Sequence, residues 1–258
     1  MWPFRQRRRD KILRDFPLDD ALWQGVLQDH PILDSLSPDE EKRLRELSTL
    51  FLHEKIFEPV KGLQLTDGMR LAIAAQCCLP VMNLGADWLR GWCTVIVYPA
   101  EFVRPRGEFD DDGVMHEWEE AISGEAWDHG PLILSWADVD ASGLGEGYNV
   151  AIHETAHKLD LLNGGVDGFP PLHRGMSAAA WSQAFSAAFD DLNLRLDVGE
   201  DPLIDPYAAE EPGEFFAVLS EYFFEQPDVA EAEYPAVYRQ LAAFYRQDPL
   251  ARMRRAAE

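Results

Sequence analysis

The sequence has little that would staple, span or divide it. Cysteine is scarce, with three in 258 residues: Cys77, Cys78 and Cys93. That number builds no disulfide framework. Cys77 and Cys78 are adjacent in an apolar stretch and lack the spacing of a zinc site, so they read as core thiols of a reducing compartment. No apolar run approaches the roughly 20 residues that cross a bilayer. The opening MWPFRQRRRDKILRDF is basic, but no apolar segment follows it. This argues against a signal peptide and against a twin-arginine signal at Arg7-Arg8. Its arginines are expected to form a solvated end. There is no Gly/Ser-rich linker and no internal repeat. Basic residues are also few, 23 against 46 acidic, so the net charge is 23 − 46 = −23. Such a surface repels phosphates, which disfavours direct nucleic-acid binding, and it would attract a partner with a basic patch. The expected location is cytoplasmic, with no membrane partner.

What is present is enough for a sizeable core. Hydrophobic residues make up 47%, with eight Trp, seven Tyr and fourteen Phe. This excludes extensive disorder and suits one domain over 1–258. Ser37-Pro38-Asp39-Glu40 has the signature of a capped helix start, and Leu44, Leu47, Leu50 and Phe51 then fall on one face. A second helix is expected from about Asp67 to Pro80. CTVIVYP (93–99) and GPLILSW (130–136) read as strands, with GEFDDDG (107–113) as an acidic loop. From residue 177 come helices over SAAAWSQAFSAAFDDLNLRL, EFFAVLSEYFFEQ and EAEYPAVYRQLAAFYRQ, the last interrupted or started at Pro235, with DPLIDPYAAEEPG as a loop between the first two. The expected class is α+β, mainly helical with a small central sheet. A helical N-terminal part (about 15–90) would pack on a catalytic part (about 91–250).

The chemistry concentrates in NVAIHETAHKLDLLN (149–163), which a helix accommodates and Asn163-Gly164 stops. His153 and His157 lie one turn apart on one face and can converge on one ion. Glu154 follows the first histidine, about 100° round the helix, from where its carboxylate can reach water beside that ion. This is the HExxH pattern of zinc peptidases. A catalytic zinc needs a third protein ligand and an open position. The longer HExxHxxGxxH pattern is not met, because Asp160 and Asn163 stand at its Gly and final His positions. His173 in a later loop is one candidate. Glu214, Glu221 and Glu225 on an apolar helix are better ones, since a carboxylate there is costly to bury without a cation. Glu214 and Glu221 are seven apart and share a face. Spacing does not choose among them. Asp160 is a candidate hydrogen-bonding partner near the site.

HETAHKLDLLNG, DPYAAEEPGEFFAVLSEYFFEQP, GWCTVIVYPAEFV, GPLILSWADV and AAFYRQDPLARM together resemble the Mlc titration factor A family of bacterial zinc metallopeptidases. The resemblance runs from about residue 15 nearly to the end and is weakest over the basic N-terminus. It implies a zincin-like catalytic domain similar to that of anthrax lethal factor, with HExxH on the active-site helix. It also implies zinc-dependent peptidase activity of aminopeptidase type and binding of a DNA-binding repressor, Mlc, that governs sugar uptake by the phosphotransferase system. In the family's YxxxxxxE pattern the glutamate is the third ligand and the tyrosine assists catalysis. Here these are Glu214 and Tyr207, which leaves Glu221 a supporting place behind the ligands. The expected site is therefore one Zn²⁺ on His153, His157 and Glu214. Glu154 would act as general base on water, then as acid toward the leaving amine, and Tyr207 would steady the oxyanion. GPLILSW, just before the motif helix, has two readings: an ordinary core strand, or a strand that receives an extended peptide by strand addition. The competing reading is a non-catalytic binder that sequesters a transcription regulator. An intact Glu154 speaks against it, because a purely structural zinc site is closed by four ligands and needs no base.

Overall fold

The structure, a computed structural model, describes residues 3–109, 115–122, 124–126 and 130–256. Four helices lead: α1 (Pro3–Asp15), α2 (Asp20–Asp29), α3 (Pro38–Glu54) and, after strand β1 (Ile56–Pro59), α4 (Asp67–Cys78). The middle holds β2 (Thr94–Tyr98), β3 (Phe102–Phe109), β4 (Met115–Ile122), β5 (Gly124–Ala126) and β6 (Leu132–Ser135). Seven helices follow: α5 (Trp136–Asp140), α6 (Val150–Asp160), α7 (Ala178–Asp197), α8 (Pro212–Glu225), α9 (Pro227–Glu233), α10 (Pro235–Tyr245) and α11 (Pro249–Ala256). The protein is mainly helical around a small sheet, which is α+β.

The central sheet has the order β1-β2-β6-β5. β1, β2 and β6 run parallel, with Ile56 opposite Thr94 and Val95 opposite Leu132. β5 closes the row antiparallel to β6, with Gly124 opposite Leu134. All four residues of β6 are buried, as expected of an inner parallel strand covered on both faces. This decides between the two readings of GPLILSW in favour of an ordinary core strand. Both edges of β6 are already hydrogen-bonded, so GPLILSW cannot receive a peptide by strand addition, and β5 is the edge on that side.

Other departures have local causes. The capped start at Ser37 is real: Ser37 and Glu40 form a reciprocal capping box. Two helices precede it, however. The basic segment is not a plain solvated end, because α1 packs along α3 and buries Ile12. α2 is capped by Asp19, whose carboxylate accepts from Leu22 N at 2.9 Å. Residues 107–109 of the expected acidic loop end β3, which pairs antiparallel with β4, and 110–113 lie outside the described residues. The 3-10 turn Pro206–Ala209 interrupts the loop expected before α8. The break expected at Pro235 is the start of α10, and α9 and α11 likewise open on proline, which is tolerated in a first helical turn but not in an interior.

Cys77 and Cys78 are buried in the core as expected, and Cys93 is exposed. Aromatic packing around α8 forms the heart of that core. Trp181 stacks on Phe185 with ring centroids 4.3 Å apart, and Phe216 meets both Trp181 and Phe244 at about 6 Å. α8 is buried almost all round, so its three glutamates at 214, 221 and 225 each require a partner. Among the described residues, no helix is long and apolar enough to cross a membrane.

Candidate metal centre

α6 is an interior helix: every residue from Val150 to Asp160 is buried except His153, which is partly so. Asn149 caps it, with Oδ1 accepting from Ile152 N at 3.0 Å. Gly147 turns the chain into the cap at φ +86°, and a Cβ there would lie 2.9 Å from the Tyr222 ring, so glycine is required twice over. The helix ends in a 3-10 turn and a left-handed Gly164.

On this helix His153 and His157 present their Nε2 atoms to each other at 3.1 Å. Glu214, in the first turn of α8, completes a triangle: its Oε2 lies 3.1 Å from His153 Nε2 and 3.3 Å from His157 Nε2. His153, His157 and Glu214 thus form a group able to hold a metal ion, the one such group among the described residues. A tetrahedral site with metal bonds of about 2.0–2.1 Å has edges of about 3.3–3.4 Å, so the triangle is close to one face of such a site. Two imidazole lone pairs 3.1 Å apart repel unless a cation or proton lies between them. The donor set therefore fits a metal on its own geometry.

The remaining candidates sort by position. Glu221, one face along from Glu214, meets the other side of His153: its Oε1 is 2.7 Å from Nδ1. Its Oε2 accepts from Asn149 N at the helix cap. Glu221 therefore orients the ring so that Nε2 faces the triangle. Glu225 lies further off and binds the loop before α6, accepting from Gly143 N, Gly145 N and Asn149 Nδ2 at 2.7–2.9 Å. His173 lies elsewhere, with Nε2 2.7 Å from Phe244 O and its ring stacked on Phe244. Asp160 accepts from Gly168 N at 2.7 Å and makes no hydrogen bond to either histidine. It ties the end of α6 to the loop that packs on α8, where a Cβ on Gly168 would come within 2.5 Å of Pro212 O. His157 Nδ1 is buried and finds no hydrogen-bond partner among the described residues. The Tyr207 ring is 6.1 Å from that of His153, held by Asp205, which accepts from Tyr207 N at 2.9 Å. Sequence reasoning missed Asn149, which joins Glu225 to Gln76 through Nδ2. Its place just before the helix was the signal for a cap.

Charge in the site is tightly shared. Burial alone would lower the His153 pKa, but Glu221 and Glu214 outweigh it and hold it well above the ordinary value. Burial alone would raise Glu214, yet hydrogen bonds to the two histidines bring it well below the carboxylate range. Burial pushes Glu221 up, and Asp160 up to about 6. Glu154 is only 4% exposed and lies under β5: a Cβ on Gly124 would be 2.6 Å from its Oε1. The edge strand thus passes directly against the carboxylate of the HExxH motif.

Residues 4–246 match the glucose-regulated metallo-peptidase M90 family. The sequence is 42% identical over 238 residues to proteins named Mlc titration factor A from Yersinia pestis (strain Pestoides F) and Yersinia pseudotuberculosis (serotype O:1b, strain IP 31758). In both cases the match covers 91% of this chain and 87% of the relative.

Proposed function

The chain belongs to the glucose-regulated metallo-peptidase M90 family, and on that premise we propose that it is a zinc-dependent peptidase in which His153, His157 and Glu214 hold one Zn²⁺. The observation that carries this reading is the triangle of 3.1, 3.1 and 3.3 Å between their donor atoms. Two nitrogens and a carboxylate oxygen suit zinc among common metals. Zinc, when bound, supplies a Lewis acid and brings the pKa of water toward neutrality.

The chain's own residues carry the rest. Glu154 takes the proton of the attacking water on a carboxylate oxygen and delivers it to the nitrogen of the leaving amine. The Tyr207 hydroxyl donates to the carbonyl oxygen as charge develops there. Glu221 keeps the His153 ring in its working orientation through Nδ1. The substrate strand lies along β5, the sheet edge against Glu154, where main-chain pairing fixes the scissile bond. The domain is single and zincin-like, its helical N-terminal part (about 15–90) packed on the catalytic part (about 91–250). It acts in the cytoplasm with aminopeptidase-type specificity.

The relatives' name supports a second property of the same molecule, binding of an Mlc-like DNA-binding repressor that governs sugar uptake. The −23 charge suits a partner with a basic surface. Zinc content and turnover of amino-acid anilides, measured for wild type and Glu154→Gln, test the catalytic reading. About one zinc per chain in both, with turnover in the wild type alone, is expected. Wild-type turnover in Glu154→Gln overturns the mechanism. A repressor pull-down retained by Glu154→Gln separates binding from catalysis.

A further inference from the structure

The basic segment that the catalytic reading leaves unused has a defined place. α1 carries Arg5, Arg8 and Arg9 at i, i+3 and i+4, hence on one face. They line a cavity of about 410 Å³ together with Lys55, Arg90 and Trp92. This volume is that of a small-molecule site. The acidic groups at the cavity are Glu54 on its wall and Asp87, which pairs with both Arg9 and Arg90. Five cations against two carboxylates leave 5 − 2 = +3, with His53 counted neutral. The whole chain carries −23. Its long-range repulsion of anions fades beyond about 8–10 Å at physiological ionic strength, so the local excess governs binding.

The floor is as telling as the rim. The Lys55 ammonium is buried 3.4 Å above the Trp92 ring centroid, where it donates to the carbonyls of Leu89 and Trp92. Trp92 is only 9% exposed, and its indole N–H is buried with no hydrogen-bond partner among the described residues. On the rim, then, cations outnumber carboxylates, and at the floor the Lys55 ammonium faces carbonyls and the Trp92 ring. Arg5, Arg8 and Arg9 line one recess with Arg90, where Asp87 joins Arg9 to Arg90. Lys158 Nζ, on the metal-binding helix next to His157, is 5.4 Å from the same ring.

We propose that this cavity is an anion site for a small soluble molecule bearing phosphate groups, held by the guanidinium forks of Arg5, Arg8 and Arg90. Arginine forks match phosphate oxygens in pairs, which gives both charge and geometry.

Calorimetric titration of the full chain with inorganic pyrophosphate tests it. Wild type should bind, with affinity falling as salt rises. Arg5→Ala/Arg8→Ala should bind at least ten-fold more weakly while keeping its thermal midpoint. Arg43→Ala/Arg239→Ala, which removes the same charge elsewhere, should bind like wild type. No binding to wild type overturns the proposal. So does equal binding in the Arg5/Arg8 variant, because pyrophosphate would then be held at the metal centre or on another surface. Recruitment to phosphatidylglycerol vesicles without pyrophosphate binding overturns it too, in favour of a membrane surface.

Discussion

Replacing Glu221 by Gln isolates the part played by a residue that touches a candidate ligand but not the ion itself. Glu221 accepts from His153 Nδ1 at 2.7 Å through one oxygen and from Asn149 N through the other. Both partners are donors. A glutamine offers one acceptor and one NH₂, so one of the two bonds is lost and a donor is set against a donor. A hydrogen bond to a charged group contributes about 1.5–3 kcal/mol. If that stabilisation passes to the metal through the orientation and basicity of His153, the zinc Kd rises by roughly 10- to 100-fold, or about 1.4–2.7 kcal/mol, the range expected for such supporting partners. Competition with a zinc-binding dye measures it directly. Thermal unfolding in chelator controls for a general loss of fold, and the metal-free midpoint should change far less than the affinity. An affinity within two-fold of wild type, in a protein that still folds, would refute the claim that Glu221 works through His153.

Three further outcomes follow from the same contacts. Gly124→Ala would drive a Cβ to 2.6 Å from Glu154 Oε1, so anilide turnover should fall at least ten-fold while zinc content is kept; unchanged turnover would remove β5 from the site. Asn149→Ala removes a helix cap worth about 1 kcal/mol, leaves the buried Gln76 carbonyl without its donor and takes one of three donors from Glu225, so urea unfolding should show a loss of at least about 2 kcal/mol. Burial pushes the Lys55 pKa from 10.5 down to about 8. The unfolded chain then holds a proton that the folded chain has released between those values, so this group makes stability rise with pH from about 8 to 10.5, by at most about 3 kcal/mol. Buried Cys77, pushed up to about 12, opposes the rise above pH 9. The readout is therefore the difference between wild type and Lys55→Met, which should grow in favour of wild type as pH rises; a flat difference would show that Lys55 is not desolvated.

Strand addition shows where one-dimensional reasoning stops. GPLILSW was legible as a strand from its apolar run, but whether a strand is an edge depends on what lies beside it. β5, three residues long and 6 residues before β6, carries too short a pattern to be seen. β1 was likewise hidden, since Ile56–Pro59 is mostly exposed and ends on proline. α1 was hidden by its charge: five arginines and a lysine over Pro3–Asp15 mask a helix whose one fully buried anchor is Ile12.

The sequence alone determined what is local. A helix places residues four apart on one face, so HETAH by itself brought two imidazoles and a carboxylate together, and the seven-residue interval put Glu214 and Glu221 on a common face of α8. It could not say which of the two meets the ligand nitrogens. That depends on how α8 crosses α6, and the crossing is set by aromatic packing and by the loop anchored through Asp160, Gly168 and Pro212, residues from separate parts of the chain. The tertiary structure places Glu214 against both Nε2 atoms and Glu221 against the Nδ1 of His153. It also brings Arg5, Arg8 and Arg9, which the sequence shows only as charge, together with Lys55, Arg90 and Trp92 around one cavity.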